Sequence, residues 1–183
     1  DEKYAGESAQ DKLFRLRETM RGTKATVHLL TTLDDIVWLL NIRGDDIPCN
    51  PVVLSYLIVT MDACHLFIQR QAVGESVKLY LEELQVTLHP YEEVYSFVKN
   101  YKNETILLEK ACVNYALCQG IDSSNRVLDR MNPEAMAKAV KNPVEMENIR
   151  QAHIKDGVAV TRFMYWLKKN IGKISIDELS AAE

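Results

Sequence analysis

Four cysteines are all that the chain carries among its 183 residues, and no two of them form a Cys-x-x-Cys pair. That argues against a disulfide framework and against the common zinc-binding spacings. Cys49, Cys64, Cys112 and Cys118 each sit in or beside an apolar segment and read as small hydrophobes. No uninterrupted apolar run reaches the roughly 18 residues that a membrane span needs, and no basic, apolar, small-residue leader opens the sequence. Lysine and arginine number 22 against 26 aspartate and glutamate, interspersed along the chain. With neither a basic stripe nor a basic amphipathic helix, nucleic acid and a membrane surface are disfavoured as partners. The chain reads as cytoplasmic.

The short motifs of enzymes are missing too. There is no G-x-G-x-x-G and no G-x-x-x-x-G-K, so a nucleotide-binding reading lacks its phosphate loop. Neither an H-E-x-x-H ligand pair nor a G-x-S-x-G elbow occurs. Cys64 and His65 are neighbours in a strand-like segment, where successive side chains point to opposite faces, so they do not make a nucleophile-base contact. No self-contained active site is visible.

What the chain does have is a hydrophobic content of 47%, enough for a proper core, organised around residues 33–60. Leu33, Ile36, Val37 and Leu40 recur at helical spacing behind Thr32, an N-cap with Asp35 three residues on. From Val52 to Thr60 the chain is β-branched and nearly all apolar, the pattern of a strand covered on both faces. Between the two lies a loop, 43–51, dense in turn formers and charge. Ahead of them, Leu13, Leu16 and Met20 mark a helix over 7–21 with Gly22 as its stop, and 25–30 reads as a strand. Strand, helix and following strand make a β-α-β unit. Met61-Asp62-Ala63 is short enough for a hairpin that sets 64–68 antiparallel to the strand before it.

Beyond that, 75–84 is helical, 86–88 a strand, 91–99 helical, 105–109 a strand, 111–119 a helix closed by Gly120, 126–128 a strand, and 133–140 a helix with Pro133 at its first position. The expected fold is α/β: a mixed central sheet flanked by helices, followed by a long helix. That last helix opens at the capping box of Asn142 and Glu145, with Pro143 in its first turn. Met146, Ile149, His153, Val160, Phe163, Leu167 and Ile171 stripe it until Gly172. Ser175 and Glu178 open another. The boundary falls between residues 1–141 and 142–183.

One extended pattern is specific. Leu33-Asp34-x-Ile36-x-Trp38-Leu39-x-Asn41-x-Arg43-Gly44-x-Asp46-Ile47-x-x-Asn50-Pro51, followed by an apolar strand, resembles the middle domain of the long, three-domain Xaa-Pro aminopeptidases, the aminopeptidase P family. Ala139-Val140-Lys141-Asn142-Pro143 and Arg150-x-x-His153-Ile154-Lys155-Asp156 resemble, in the right order, the start of that family's catalytic domain. The resemblance covers almost the whole chain. It implies a creatinase/prolidase amino-terminal fold for 1–141 and the truncated first helices of a pita-bread metallopeptidase domain for 142–183. It also implies a parent that cleaves before a proline at the second position of a peptide, using a hydroxide held between two divalent metal ions, with manganese expected. The family's ligands, two aspartates, a histidine and two glutamates, lie further along than this chain runs. No catalytic or metal residue is therefore assigned, and no cofactor is expected in the chain itself.

The chain starts without a methionine and stops just after opening a helix, so it reads as an excised, inactive piece. The expected partners are its own missing N-terminal and catalytic domains, proline-containing peptides for the parent, and a second copy in a homodimer, with exchange of the long helix, or else that helix folds back over its own sheet. The competing reading is a stand-alone binding or scaffold module. Within the loop, Arg43, Asp45, Asp46 and Asn50 are the candidate domain contacts. The plainer alternative is a turn in which Asp46 accepts backbone hydrogens and pairs with Arg43. His153 and Asp156, three apart on the long helix, form a candidate buried pair at the domain junction. His28, His65 and His89 read as structural histidines.

Overall fold

The computed structural model describes residues 2–182, which divide into two compact units between Lys141 and Asn142. In the first unit, a short α1 (Glu2–Ala5) precedes α2 (Ala9–Thr23), whose start is fixed by the Ser8 hydroxyl accepting the Asp11 amide at 3.0 Å. Leu13, Leu16 and Met20 are its buried face. The helix runs through Gly22 and stops at Lys24, a left-handed residue at φ 59° whose amide donates to Arg21 O. A side chain at Gly22 would meet nothing, so that glycine is compatible with the helix and does not end it.

Then come β1 (Val27–Leu30), α3 (Leu33–Leu39), β2 (Ser55–Thr60), β3 (Cys64–Ile68), α4 (Glu75–Glu83), β4 (Val86–Pro90) and α5 (Val94–Phe97). After them follow β5 (Thr105–Leu108), α6 (Tyr115–Gly120), β6 (Arg126–Asp129) and α7 (Pro133–Ala139). These six strands form one sheet ordered β4-β3-β2-β1-β5-β6. β2 is antiparallel to β1 and to β3, and the other pairings are parallel.

Two sequence expectations need correcting here. β1, α3 and β2 do not make a parallel β-α-β unit: Leu30 pairs Leu57 and Val27 pairs Thr60, so β2 starts beside the C-terminal end of β1. The long connection 40–54 carries the chain back to that end after the short α3. The helices expected over 91–99 and 111–119 are also shorter. The first is α5 between two 3-10 turns. The second begins only at Tyr115, where the Asn114 side chain accepts the Leu117 amide at 3.0 Å.

Strand alternation feeds two cores. Leu30, Leu57, Val59, Leu66, Ile68 and Leu107 face α2, α3 and α4. Leu29, Tyr56, Ile58, Phe67, Ile106 and Leu108 face α5 and α6. A fully buried leucine or phenylalanine contributes roughly 1.5–3 kcal/mol, so the sheet is stabilised from both sides.

In the second unit, α8 (Pro143–Asn170) begins with the anticipated capping box: Asn142 Oδ1 accepts the Glu145 amide at 2.9 Å, and Glu145 Oε2 accepts the Asn142 amide at 3.0 Å. At 1.5 Å per residue it is about 42 Å long. It ends before Gly172, at φ +77°. None of its residues is buried, and Ile154, Val158, Val160 and Tyr165 are more than half exposed. α9 (Glu178–Ala182) is capped by Asp177 and Ser180, which exchange hydrogen bonds at 2.8 and 3.0 Å, and not by Ser175 and Glu178 as the sequence suggested.

Candidate functional site

The loop between α3 and β2 is built on three anchors. Asn41, at φ 53°, turns the chain out of α3; its side-chain oxygen accepts the Lys12 ammonium at 2.7 Å and its amide donates to Glu7 O at 2.8 Å. Lys12 itself is buried, donates to Trp38 O at 2.8 Å and lies 4.1 Å from the centre of the Trp38 ring. Arg43 donates through Nη1 to Val37 O at 3.0 Å, in the last turns of α3, and to Ile42 O at 2.6 Å just beyond it. Gly44 passes so close to the returning chain that an added Cβ would sit 2.9 Å from Val53 Cβ and 3.0 Å from Val52 O.

On the far arm, the Asp46 amide donates to Val52 O, and its carboxylate accepts the Leu54 amide at 2.7 Å. The tip is a tight turn in which the Asn50 amide donates to Ile47 O around Cys49 at φ 61°. Asp46 thus accepts a backbone hydrogen, as the plainer reading held, whereas Arg43 engages carbonyls and makes no ion pair with Asp46 among the described residues. Asp45, Ile47, Pro48 and Asn50 are exposed at the tip. Cys49, also there, and Cys112 are exposed, not the buried hydrophobes expected from their neighbours.

His153 and Asp156 are both exposed on α8, and no hydrogen bond joins them among the described residues.

Two clusters escaped the sequence reading. His28 is fully buried in β1, its Nδ1 3.0 Å from Leu107 O and its Nε2 3.2 Å from Glu134 Oε2 on α7. Burial works to lower its pKa, but the Glu134 charge and hydrogen bond, with the Leu107 carbonyl and Asp35, outweigh it and hold the imidazole above its ordinary value. Glu134 Oε1 and Asn132 Oδ1 are buried and accept no hydrogen bond among the described residues. A cavity of about 80 Å³ bordered by Lys12, Trp38, Ala137 and Glu134 adjoins the pair. At the rim, Lys138 bridges Asp34 and Asp35, the latter at 2.7 Å. The cluster is an ion-pair network fastening α7 to α3 and the sheet.

The second cluster is His65 on β3 and His89 on β4, with Nδ1 and Nε2 3.1 Å apart. Burial, and then the His89 charge, lower the pKa of His65. Strand parity puts both rings on the α5 face, beside Phe67 and Phe97. A groove of about 760 Å³ runs along the open edge of β4, with Arg70, Lys78 and Glu82 on its walls. Among the described residues no three histidine, cysteine, aspartate or glutamate side chains come together to hold a metal ion.

The mixed sheet with helices on both faces defines an α/β domain. The profile of the creatinase/prolidase N-terminal domain matches residues 1–145, and the chain belongs to that family. A probable Xaa-Pro aminopeptidase P of Pyrenophora teres f. teres is 34% identical over 99% of this chain and 29% of its own length. The Xaa-Pro aminopeptidase app-1 of Caenorhabditis elegans is 35% identical over 93% of this chain and 29% of its own. The solved X-prolyl aminopeptidase of that nematode, described as a cytosolic enzyme with a dinuclear active site, superimposes with a TM-score of 0.85 at 35% identity, again over 93% of this chain and 29% of that one. The Xaa-Pro dipeptidase of Bacillus anthracis shares the fold at a TM-score of 0.66 and 15% identity. The chain spans less than a third of the length of the aminopeptidases it matches. Among the described residues no helix is long and apolar enough to cross a membrane.

Proposed function

We propose that the chain serves as a non-catalytic part of a cytosolic Xaa-Pro aminopeptidase: residues 1–141 are its middle domain and 142–183 begin its pita-bread catalytic domain. The observation that carries this is the match over nearly the whole chain to the nematode enzyme, at 35% identity and a TM-score of 0.85. The parent removes the N-terminal residue before proline with two divalent ions, manganese being the expected metal, and works as a homodimer. In that setting Arg43 and Asp46 hold the shape of the loop while Asp45 and Asn50 at its tip face the neighbouring domains. His153 and Asp156 gain their partners only when the rest of the catalytic domain covers α8. No observation favours the scaffold-module reading.

The test compares the 183-residue chain with the same chain extended through its downstream reading frame, on a tripeptide with proline second, with and without Mn²⁺. The chain alone should release nothing above background; the extended form should release the first residue. Turnover that copurifies with the 183-residue chain, or a downstream frame without carboxylate and histidine ligands, overturns the reading.

A further inference from the structure

Two imidazoles meet on the α5 face of the sheet. His65 Nδ1 and His89 Nε2 lie 3.1 Å apart, within hydrogen-bonding distance. The same separation suits two neighbouring ligands of one metal ion. Metal-nitrogen bonds of about 2.0–2.1 Å, at angles from roughly 90° to 109°, put the two nitrogens about 2.9–3.4 Å apart.

The rings are also held. Phe67 stacks on His89 with centroids 4.9 Å apart, and Phe97 packs on both rings, at 4.8 Å from His65 and 5.1 Å from His89. The sheet sets their relation: His65 pairs with Thr87, and His89 pairs with Phe67 one pleat further along, so both rings rise from the same face of adjacent parallel strands. Both residues are part-exposed, which leaves an ion a way in.

The third feature is a carboxylate. Glu93 Oε2 is 3.8 Å from His89 Nδ1, the nitrogen that faces away from His65. A histidine ligand characteristically gives its second N–H to a carboxylate, which fixes the tautomer and raises the basicity of the ligating nitrogen. For a metal to bind, the proton shared between the two rings must leave the contact. If it sits on His89 Nε2, it passes through solvent to Nδ1, on the side of the Glu93 carboxylate, and no net proton is lost.

We propose that His65 and His89 form a two-histidine site for a borderline divalent transition metal ion, Cu²⁺ or Zn²⁺, with Glu93 supporting His89 from behind. Imidazole nitrogen suits both ions, and Cu²⁺ stands at the top of the divalent affinity order. With two protein ligands, the remaining positions are left to water or to an incoming donor. The bound ion ties β3 to the edge strand β4. The inference is independent of the peptidase reading and of the dinuclear centre.

The experiment titrates the intact chain with CuCl₂ and with ZnCl₂, using calorimetry and the Cu²⁺ electron paramagnetic resonance spectrum. One ion per chain is expected, with superhyperfine coupling to two imidazole nitrogens. His65→Gln and His89→Gln should each weaken binding at least tenfold, Glu93→Gln by about tenfold, and His153→Gln should change nothing. Affinity unchanged in both His65→Gln and His89→Gln overturns the site. If those variants fail to fold, the wild-type spectrum decides: fewer than two coupled nitrogens, or no binding at micromolar concentrations, overturns it equally.

Discussion

Replacing Glu134 with glutamine should invert the pH dependence of the first unit's stability near neutrality. The imidazole of His28 is fully buried and is held above its ordinary pKa of 6.5, against burial, chiefly by Glu134. A group whose folded-state pKa is raised contributes stability that is fully present below its unfolded pKa and is lost as pH rises through the folded value. The wild-type chain should therefore lose stability as pH climbs from about 6.5 upward. In Glu134→Gln the charge is gone, and burial, which lowers the pKa, becomes the dominant influence. His28 then folds best neutral, and stability should rise with pH up to about 6.5 and stay level above it, where the wild type is losing stability.

The magnitude follows from the contacts. Orphaning a buried ion costs about 3–5 kcal/mol, but His28 can shed its proton, and a glutamine amide can still meet Nε2. What is lost is the charge assistance of one buried hydrogen bond, about 1.5–3 kcal/mol at pH 6, shrinking toward pH 8. Urea unfolding followed through buried Trp38, in a Trp166→Phe background and at half-unit steps from pH 5.5 to 8.5, measures both slopes. Parallel curves for wild type and variant would refute the assignment of the ion pair as the cause.

Other expectations are simpler. Gly44→Ala must push Val53 Cβ and Val52 O apart, costing about 1–3 kcal/mol as overpacking does, whereas Gly22→Ala has open space inside a helix and should gain about 0.5–1 kcal/mol; thermal melts of the two variants should shift in opposite directions. A thiol reagent at pH 8 should label exposed Cys49 quickly and Cys112 more slowly, because burial and then Glu109 raise the Cys112 thiol; Cys64, buried and pushed up to about 12, should react only on unfolding. Sedimentation of the 183-residue chain should show concentration-dependent dimers that vanish on removal of residues 143–183, since Phe163, Met164 and Trp166 are at least 39% exposed on α8; a monomer at all concentrations counts against the dimer.

How much of this was readable in advance depends on how far apart the partners lie. β2, β3 and the capping box of α8 declare themselves because their signals are local: β-branched runs, a three-residue hairpin turn, an Asn-Pro-x-Glu start. The direction of β2 relative to β1 was misread because strand, helix, strand ordinarily signals a parallel crossover, and nothing in the composition of 40–54 says that the chain doubles back to the end it left. Within the loop, Asp46 met the local partner that its type predicts, a backbone amide eight residues on. Arg43 instead donates to two backbone carbonyls beside it, Val37 O and Ile42 O, partners that no pairing of charges in the sequence points to.

The ion pair of His28 and Glu134 bridges 106 positions, and no sequence window holds both. His28 alone read as a structural histidine, and Glu134 carried no signal of its own. His65 and His89 are the intermediate case. Once β3 and β4 are seen as neighbours through a helical crossover, their equal parity places them on one face, and that much was available from the sequence. What it could not supply was the register, a matter of one pleat, which decides whether two rings pass each other or meet nitrogen to nitrogen. The polar contacts that matter here are therefore set by sheet register and helix docking, and a single-residue slip of β4 would abolish the His65–His89 contact while leaving every local motif intact.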